Sequence, residues 1–203
     1  MFDTSGVFQW ARTWGGNSDD VGRQVVADGS GDIYLAGEFS STVDFDPGGG
    51  TDEHTSNGMT DTFLSKLDSS GNFQWARTWG ASDYDRAFGM AADGSGNIYV
   101  TGDYCFTVDF DPGGGTDEHT SNGNDDVFLS KFDSNGVFQW ALTWGADNYD
   151  GGNGVATDGF GSIYVTGWFH GTVDFDPGGG TDEHTSNGWA DVSLSKFPAD
   201  GNW

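Results

Sequence analysis

The sequence predicts an all-β repeat fold, and three observations carry the prediction. The block Gly6-Val7-Phe8-Gln9-Trp10-Ala11-Arg12-Thr13-Trp14-Gly15 returns almost unchanged at Gly71 to Gly80 and at Gly136 to Gly145, so the chain repeats every 65 residues. Glycine supplies 35 of the 203 residues and aromatics 15%, within a hydrophobic total of only 34%, a mixture suited to short strands joined by tight turns. Apolar residues follow no helical period; Phe73, Trp75 and Trp79 instead alternate onto one face, as strand residues do.

Taken in chain order, the first complete repeat offers four strands. Gln24 to Ala27 is the first, and the turn Asp28-Gly29-Ser30-Gly31 leads into the second, Ile33 to Phe39. Thr62 to Leu67 is the third, and Asp68-Ser69-Ser70-Gly71 turns the chain into the fourth, Phe73 to Trp79. Four antiparallel strands ending on bulky aromatics make a blade of a β-propeller, the aromatics covering the neighbouring blade. The predicted organisation is one repeat domain over residues 1–203. Residues 1–15 supply a lone fourth strand, 16–80 a first blade, 81–145 a second, and 146–203 a third blade lacking its own fourth strand.

The block Asp93-Gly94-Ser95-Gly96-Asn97-Ile98-Tyr99-Val100-Thr101-Gly102, the following strand Asp126-Val127-Phe128-Leu129-Ser130-Lys131 and the aromatic strand closing on Trp-Gly resemble the bacterial β-propeller repeat family SBBP. The resemblance covers all three copies and implies the propeller fold. It implies little about activity, because propellers serve as enzymes, lectins and scaffolds alike. The copies depart from the family in a long segment between second and third strands, Thr42 to Gly58, repeated without change at Thr107 to Gly123 and Thr172 to Gly188.

Closed propellers typically have about 4–8 blades, so three predict assembly. Met1 stands where later copies carry Lys66, Lys131 and Lys196, and the last copy runs through Pro198 and Ala199 to Trp203. A spare strand at Phe8 to Trp14 and a blade lacking that strand are complementary in a head-to-tail contact, so a homodimer closing a six-bladed ring is expected.

A formal charge of −25, from 32 acidic and seven basic residues, repels phosphate backbones and anionic membranes, which argues against nucleic acid and membrane partners. No apolar run approaches the length of a membrane span. Met1 to Gly6 has neither the basic nor the apolar region of a signal peptide, which favours the cytoplasm unless the chain was cut from a longer exported protein. Cys105 is the single cysteine, so no internal disulfide is available.

Differences between the copies concentrate in three windows: Asn17 to Gln24, Glu38 to Ser41, and Met59-Thr60, with their counterparts in the later copies. The exchanges are chemically unrelated, and cores do not tolerate such changes, so these positions are expected on a surface. Up-and-down topology brings the windows to one end of the blades. The predicted recognition face is Val21, Arg23, Glu38, Ser40 and Met59 in the first copy, Tyr84, Arg86, Phe88, Asp103, Cys105 and Asn124 in the second, and Tyr149, Asn153, Trp168, His170 and Trp189 in the third. Its composition is that of a binding surface for a protein or glycan. The resulting reading is a non-catalytic recognition module, a sensor of non-self ligands by analogy with near-identical propeller arrays. A multivalent lectin using unchanged residues such as Trp79 or Asp52, or a pure scaffold, is the alternative.

The unchanged segment spaces acids around a Pro-Gly turn in the manner of calcium loops, whose cation prefers 6–8 oxygen ligands. Asp44, Asp46 and Asp52, with Asp109, Asp111, Asp117, Asp174, Asp176 and Asp182, would be the ligands, although Gly48 stands where a further carboxylate is wanted. Calcium is the one cofactor considered. His54, His119 and His184 lack a second nitrogen or sulfur partner for zinc. Cys105 and His170 occupy equivalent positions on different blades, which separates any nucleophile from its base. No enzyme is expected.

Overall fold

The computed structural model describes residues 5–201, among which fifteen strands and no helix occur. The first repeat contributes β1 (Val21–Ala27), β2 (Ile33–Phe39), β3 (Thr42–Asp44), β4 (Glu53–Thr55), β5 (Asp61–Leu67) and β6 (Phe73–Trp79). The second contributes β7 (Arg86–Ala92), β8 (Ile98–Asp109), β9 (Glu118–Phe132) and β10 (Phe138–Trp144). The third contributes β11 (Gly151–Thr157), β12 (Ser162–Phe169), β13 (Thr172–Asp174), β14 (Glu183–Thr185) and β15 (Asp191–Pro198). All ladder pairing is antiparallel: two four-stranded sheets, β1-β2-β5-β6 and β7-β8-β9-β10, a three-stranded sheet, β11-β12-β15, and two two-stranded sheets, β3-β4 and β13-β14.

The turns follow from side-chain chemistry. Asp28 Oδ1 accepts the amides of Ser30 and Asp32 at 2.9 and 3.0 Å, which closes the β1–β2 turn, while Gly31 takes a φ of 89° that a side chain resists. Asp68, Asp93, Asp133 and Asp158 cap their turns alike.

The long segment between the second and third strands is a hairpin. Thr42, Val43 and Asp44 pair with Thr55, His54 and Glu53, and in the second repeat the arms fuse with the main strands to make β8 and β9. The alternation Val43-x-Phe45 places two side chains, each 1% exposed, against Phe39 and Phe63. Val108, Phe110 and Val173 are as deeply buried in the later copies. The constancy of this segment therefore has a packing cause.

Aromatics join consecutive sheets. Trp79 at the end of β6 lies 5.2 Å from Phe132 and 6.2 Å from Phe128 of β9, and Trp144 at the end of β10 lies 5.0 Å from Phe197 of β15. The strands β1, β7 and β11 adjoin in succession, close enough that a Cβ on Gly89 would meet the Gly154 Cα at 2.7 Å.

Phe8 to Trp14 was expected to form a strand; Phe8 makes a single β-bridge, and residues 9–14 belong to none of the named sheets. The segment lies along the first sheet. There Arg12 Nε donates to the Gly71 carbonyl at 3.0 Å, as Arg77 Nε of β6 donates to Gly136 at 2.9 Å. Met1 and Trp203 lie outside the described residues. No helix among the described residues is long and apolar enough to cross a membrane.

Candidate binding face

The three windows meet at one end of each sheet. Val21 and Arg86 stand opposite Glu38 and Asp103 across the β1–β2 and β7–β8 ladders, and Gly151 opposite Trp168 across β11–β12. The third window joins the first window of the following repeat: Thr60 bridges Tyr84, and the Asn124 amide donates to the Asn148 carbonyl at 3.2 Å.

Arg23, Phe88 and Asn153 share a feature that pattern reading missed. The register shifts between Gly22 and Gln24, between Ala87 and Gly89, and between Gly152 and Gly154, so each of the three is the extra residue of a β-bulge. A bulge re-aims its side chain, and here it carries Phe88 to both Arg23 and Arg86, whose guanidinium carbons lie 5.7 and 5.5 Å from its ring centre. Glycines flanking the position were the available signal.

The second copy presents an ion-pair cluster. Arg86 donates from Nε and Nη2 to both carboxylate oxygens of Asp103 at 2.9 and 2.8 Å, and from Nη2 to Asp125 at 3.1 Å. Tyr84 lies under the same guanidinium. In the first copy Arg23 pairs with Glu38 alone. The third copy replaces charge with aromatic surface: the His170 ring lies 5.3 Å from Trp168 and 5.0 Å from Trp189, in edge contacts with both.

Val21, Ser40, Arg86, Phe88 and Trp168 are half-buried, and Arg23, Met59, Tyr84, Asn124, Tyr149, Asn153 and Trp189 are exposed. Glu38, Asp103, Cys105 and His170 correct the surface expectation, for each is buried. The two acids tolerate burial because an arginine on the neighbouring strand pairs with each, and the third copy exchanges the pair for packed rings. Burial pushes the Asp103 carboxyl up, and Arg86 pulls it back. Burial also pushes the Cys105 thiol up to about 11, so it is protonated at neutral pH and a poor nucleophile.

Each first window holds one unchanged acid that fastens the face. Asp85 Oδ1 accepts the Cys105 amide at 3.0 Å and Oδ2 the Ala81 amide at 2.6 Å, and Asp150 does the same for His170 and Ala146, each at 2.8 Å. Asp20 holds Ser40 and Gly16. Its constancy within a changing window was legible in the sequence. Asp85 also shares the surroundings of Gly80 with Asp61, where any Cβ would strike both carboxyls. Burial pushes Asp85 up to about 7 and Asp126 up to about 6, with Asp61 and Asp150 raised as well.

An acid raised above its unfolded value of about 3.9 holds its proton longer in the folded state, so its effect is a loss of stability as pH climbs from about 4 to about 7. The unfolding midpoint in urea is expected to fall between pH 5 and pH 8, with Asp85→Asn flattening that fall. A midpoint that rises over the same interval, or an unchanged slope in the variant, contradicts the assignment.

The acids of the hairpin accept backbone amides. Asp44 Oδ1 accepts the amides of Asp46 and Asp52 at 3.0 and 2.9 Å, and Asp46 Oδ1 accepts that of Gly48 at 2.7 Å. Asp109, Asp111 and Asp117 repeat the arrangement, as do Asp174, Asp176 and Asp182. The spacing of these acids follows successive turns, and no group of three or more His, Cys, Asp or Glu that could hold a metal ion occurs among the described residues. Trp79, the aromatic of the lectin alternative, is 3% exposed and packed between sheets, where no sugar reaches it.

Repeated antiparallel sheets packed through the last-strand tryptophans define an all-β repeat protein. Residues 74–103 match the family model of the SBBP β-propeller repeat. It is 30% identical over 182 residues to the regulatory protein FlaEY of Caulobacter vibrioides, and 25% identical over 220 residues to an uncharacterized WD repeat-containing protein of Acanthamoeba polyphaga mimivirus. The alignments take in 89% and 96% of this chain but 18% and 16% of those relatives, so the chain spans under a fifth of their lengths.

Proposed function

We propose that the chain is a non-catalytic binding module that presents its three variable windows to a protein or glycan ligand, and that two copies close a six-bladed disc. The observation that carries this reading is the exchange at one position in the frame: the Arg86, Asp103 and Asp125 cluster of the second copy gives way to Trp168, His170 and Trp189 in the third, on a backbone otherwise alike. Selection for packing alone favours one solution repeated, as Trp79 and Trp144 are repeated. Trp189, 84% exposed at that end, is the kind of rigid aromatic that anchors interfaces. The description of one relative as regulatory, and of the other as WD repeat-containing, supports a role exercised by contact.

The test is a glycan array and a displayed peptide library probed with the purified protein. Trp189→Ala and Tyr84→Ala are expected to weaken the selected ligand at least tenfold while changing stability by no more than about 0.5 kcal/mol. Phe160→Ala, at a 96% exposed turn joining the opposite ends of β11 and β12, is expected to change neither. A ligand lost with Phe160 and retained without Trp189 and Tyr84 overturns the assignment of the face.

A further inference from the structure

Between consecutive sheets the structure buries two pairs of carboxyls. Asp61, the first residue of β5, meets Asp85, which stands just ahead of β7, and Asp126 of β9 and Asp150, just ahead of β11, hold the same places one repeat later. A Cβ built on Gly80 would lie 2.8 Å from Asp61 Oδ1 and 2.9 Å from Asp85 Oδ2, so these two oxygens border one point. All four residues are 1% exposed or less.

The hydrogen bonds of each pair are unequally shared. Asp61 Oδ2 accepts the amide and the side-chain nitrogen of Asn57 at 3.1 and 3.2 Å, and Asp126 Oδ2 accepts those of Asn122 at 3.0 and 3.1 Å. Asp85 and Asp150 each spend both oxygens on backbone amides, of Ala81 and Cys105 and of Ala146 and His170. Asp61 Oδ1 and Asp126 Oδ1 are sealed from solvent and have no hydrogen-bond partner. A buried oxygen in that position is costly unless it gains a donor or becomes one.

The surroundings offer no relief of charge. Arg86, the residue after Asp85, spends its guanidinium on Asp103 and Asp125 rather than on either pair. Asp103, Tyr104 and Cys105 of β8 face Asp85, Asp125 and Tyr104 face Asp126, and His170, just after β12, faces Asp150. Burial, reinforced by the neighbouring acid, pushes Asp85 up to about 7 and Asp126 up to about 6. Two carboxyls that share a dry site do not both ionise readily.

We propose that each pair holds one shared proton, carried on Asp61 Oδ1 and on Asp126 Oδ1 and donated to the Asp85 and Asp150 carboxylates, and that this proton locks the variable windows to the frame. The hydrogen bonds assign the carrier. Protonating Asp85 or Asp150 would weaken an acceptor already in use, whereas Asp61 and Asp126 each have an oxygen to spare. The lock reaches all three windows. Asp85 belongs to the first, its side chain holds Cys105 of the second, and its amide donates to the Thr60 carbonyl of the third at 3.0 Å. Asp150 repeats the arrangement with His170 and the Asp125 carbonyl. As pH rises one proton per pair passes to solvent, two carboxylates are left facing each other, and the turns that carry the windows loosen. The device acts on the frame of the face, whatever the face binds.

The carboxyl carbon resonances of the unmodified protein, labelled at aspartate with carbon-13 and followed from pH 4 to pH 9, test the shared proton directly. Each pair is expected to keep one proton past pH 5 and to release it near neutrality, with both members shifting in the same step. Pairs fully ionised at pH 5 overturn the proposal. Asp61→Asn puts an amide N–H where the proton stood, so its urea midpoint at pH 8 is expected to equal or exceed that of the unmodified protein. Asp85→Asn must turn its amide nitrogen toward Ala81 or Cys105, so it is expected to be the less stable of the two. An Asp85→Asn variant as stable as Asp61→Asn overturns the assignment of the carrier. Amide-exchange protection at Cys105, corrected for intrinsic rate, is expected to fall at least tenfold from pH 6 to pH 8 and to stay level in Asp61→Asn. Protection that is level in the unmodified protein as well overturns the lock.

Discussion

Replacing Trp79 by alanine is expected to lower the unfolding free energy by about 3–5 kcal/mol, the cost of deleting a large aromatic from a packed core. The ring is 3% exposed and touches Phe128 and Phe132 of the next sheet, so its loss leaves a void between two sheets that cannot collapse without moving both ladders. Urea denaturation followed by far-ultraviolet circular dichroism measures the change, with Trp189→Ala as the matched control. A loss for Trp79→Ala no greater than for Trp189→Ala would place the joint between sheets elsewhere.

Arg86→Ala is expected to cost about 3 kcal/mol at pH 8, the low end for a broken buried ion pair, because the arginine side chain keeps 31% exposure while its partner Asp103 keeps 1%. The variant leaves two carboxylates, Asp103 and Asp125, desolvated without a cation. Their proton affinity in the folded variant then rises further above the unfolded value, so the deficit is largest at high pH and shrinks as the buffer is acidified toward pH 5. Adding Asp103→Asn is expected to restore part of the stability at pH 8 and to remove part of the pH dependence. A deficit independent of pH would mean that the arginine contributes through its stem packed on Phe88 and Tyr84 rather than through its charge.

These two variants probe different dependences of structure on sequence. Trp79 was legible: it recurs, it alternates with Phe73 and Trp75, and a large apolar side chain at the end of a strand has few places to go. Arg86 and Asp103 were not. They lie on different strands of one ladder, and nothing local says that a glutamate and an aspartate in corresponding positions are both removed from water. Unlike side chains looked like exposed ones. The inference failed for Glu38 and Asp103 because a buried charge is tolerated when its partner is brought from another strand, and that partner changes along with it, and for Cys105 and His170 because Asp85 and Asp150 hold their backbone amides within the face.

By itself the sequence determined the strand order, the turns and the repeat. Those depend on the two-residue alternation, on aspartates that cap their own turns and on glycines at positive φ, all interactions within a few residues. Only the tertiary structure decided three other things. It made a hairpin of the constant segment, because Val43 and Phe45 needed Phe39 and Phe63 to pack upon. It turned Arg23, Phe88 and Asn153 with a bulge that shows only when two strands are laid in register. It used the acids of the hairpin to hold backbone amides, which no count of carboxylates distinguishes from ligands waiting for a cation. In each case the deciding partner is distant in sequence or is the backbone itself, so the energy that selects the arrangement is absent from any local pattern.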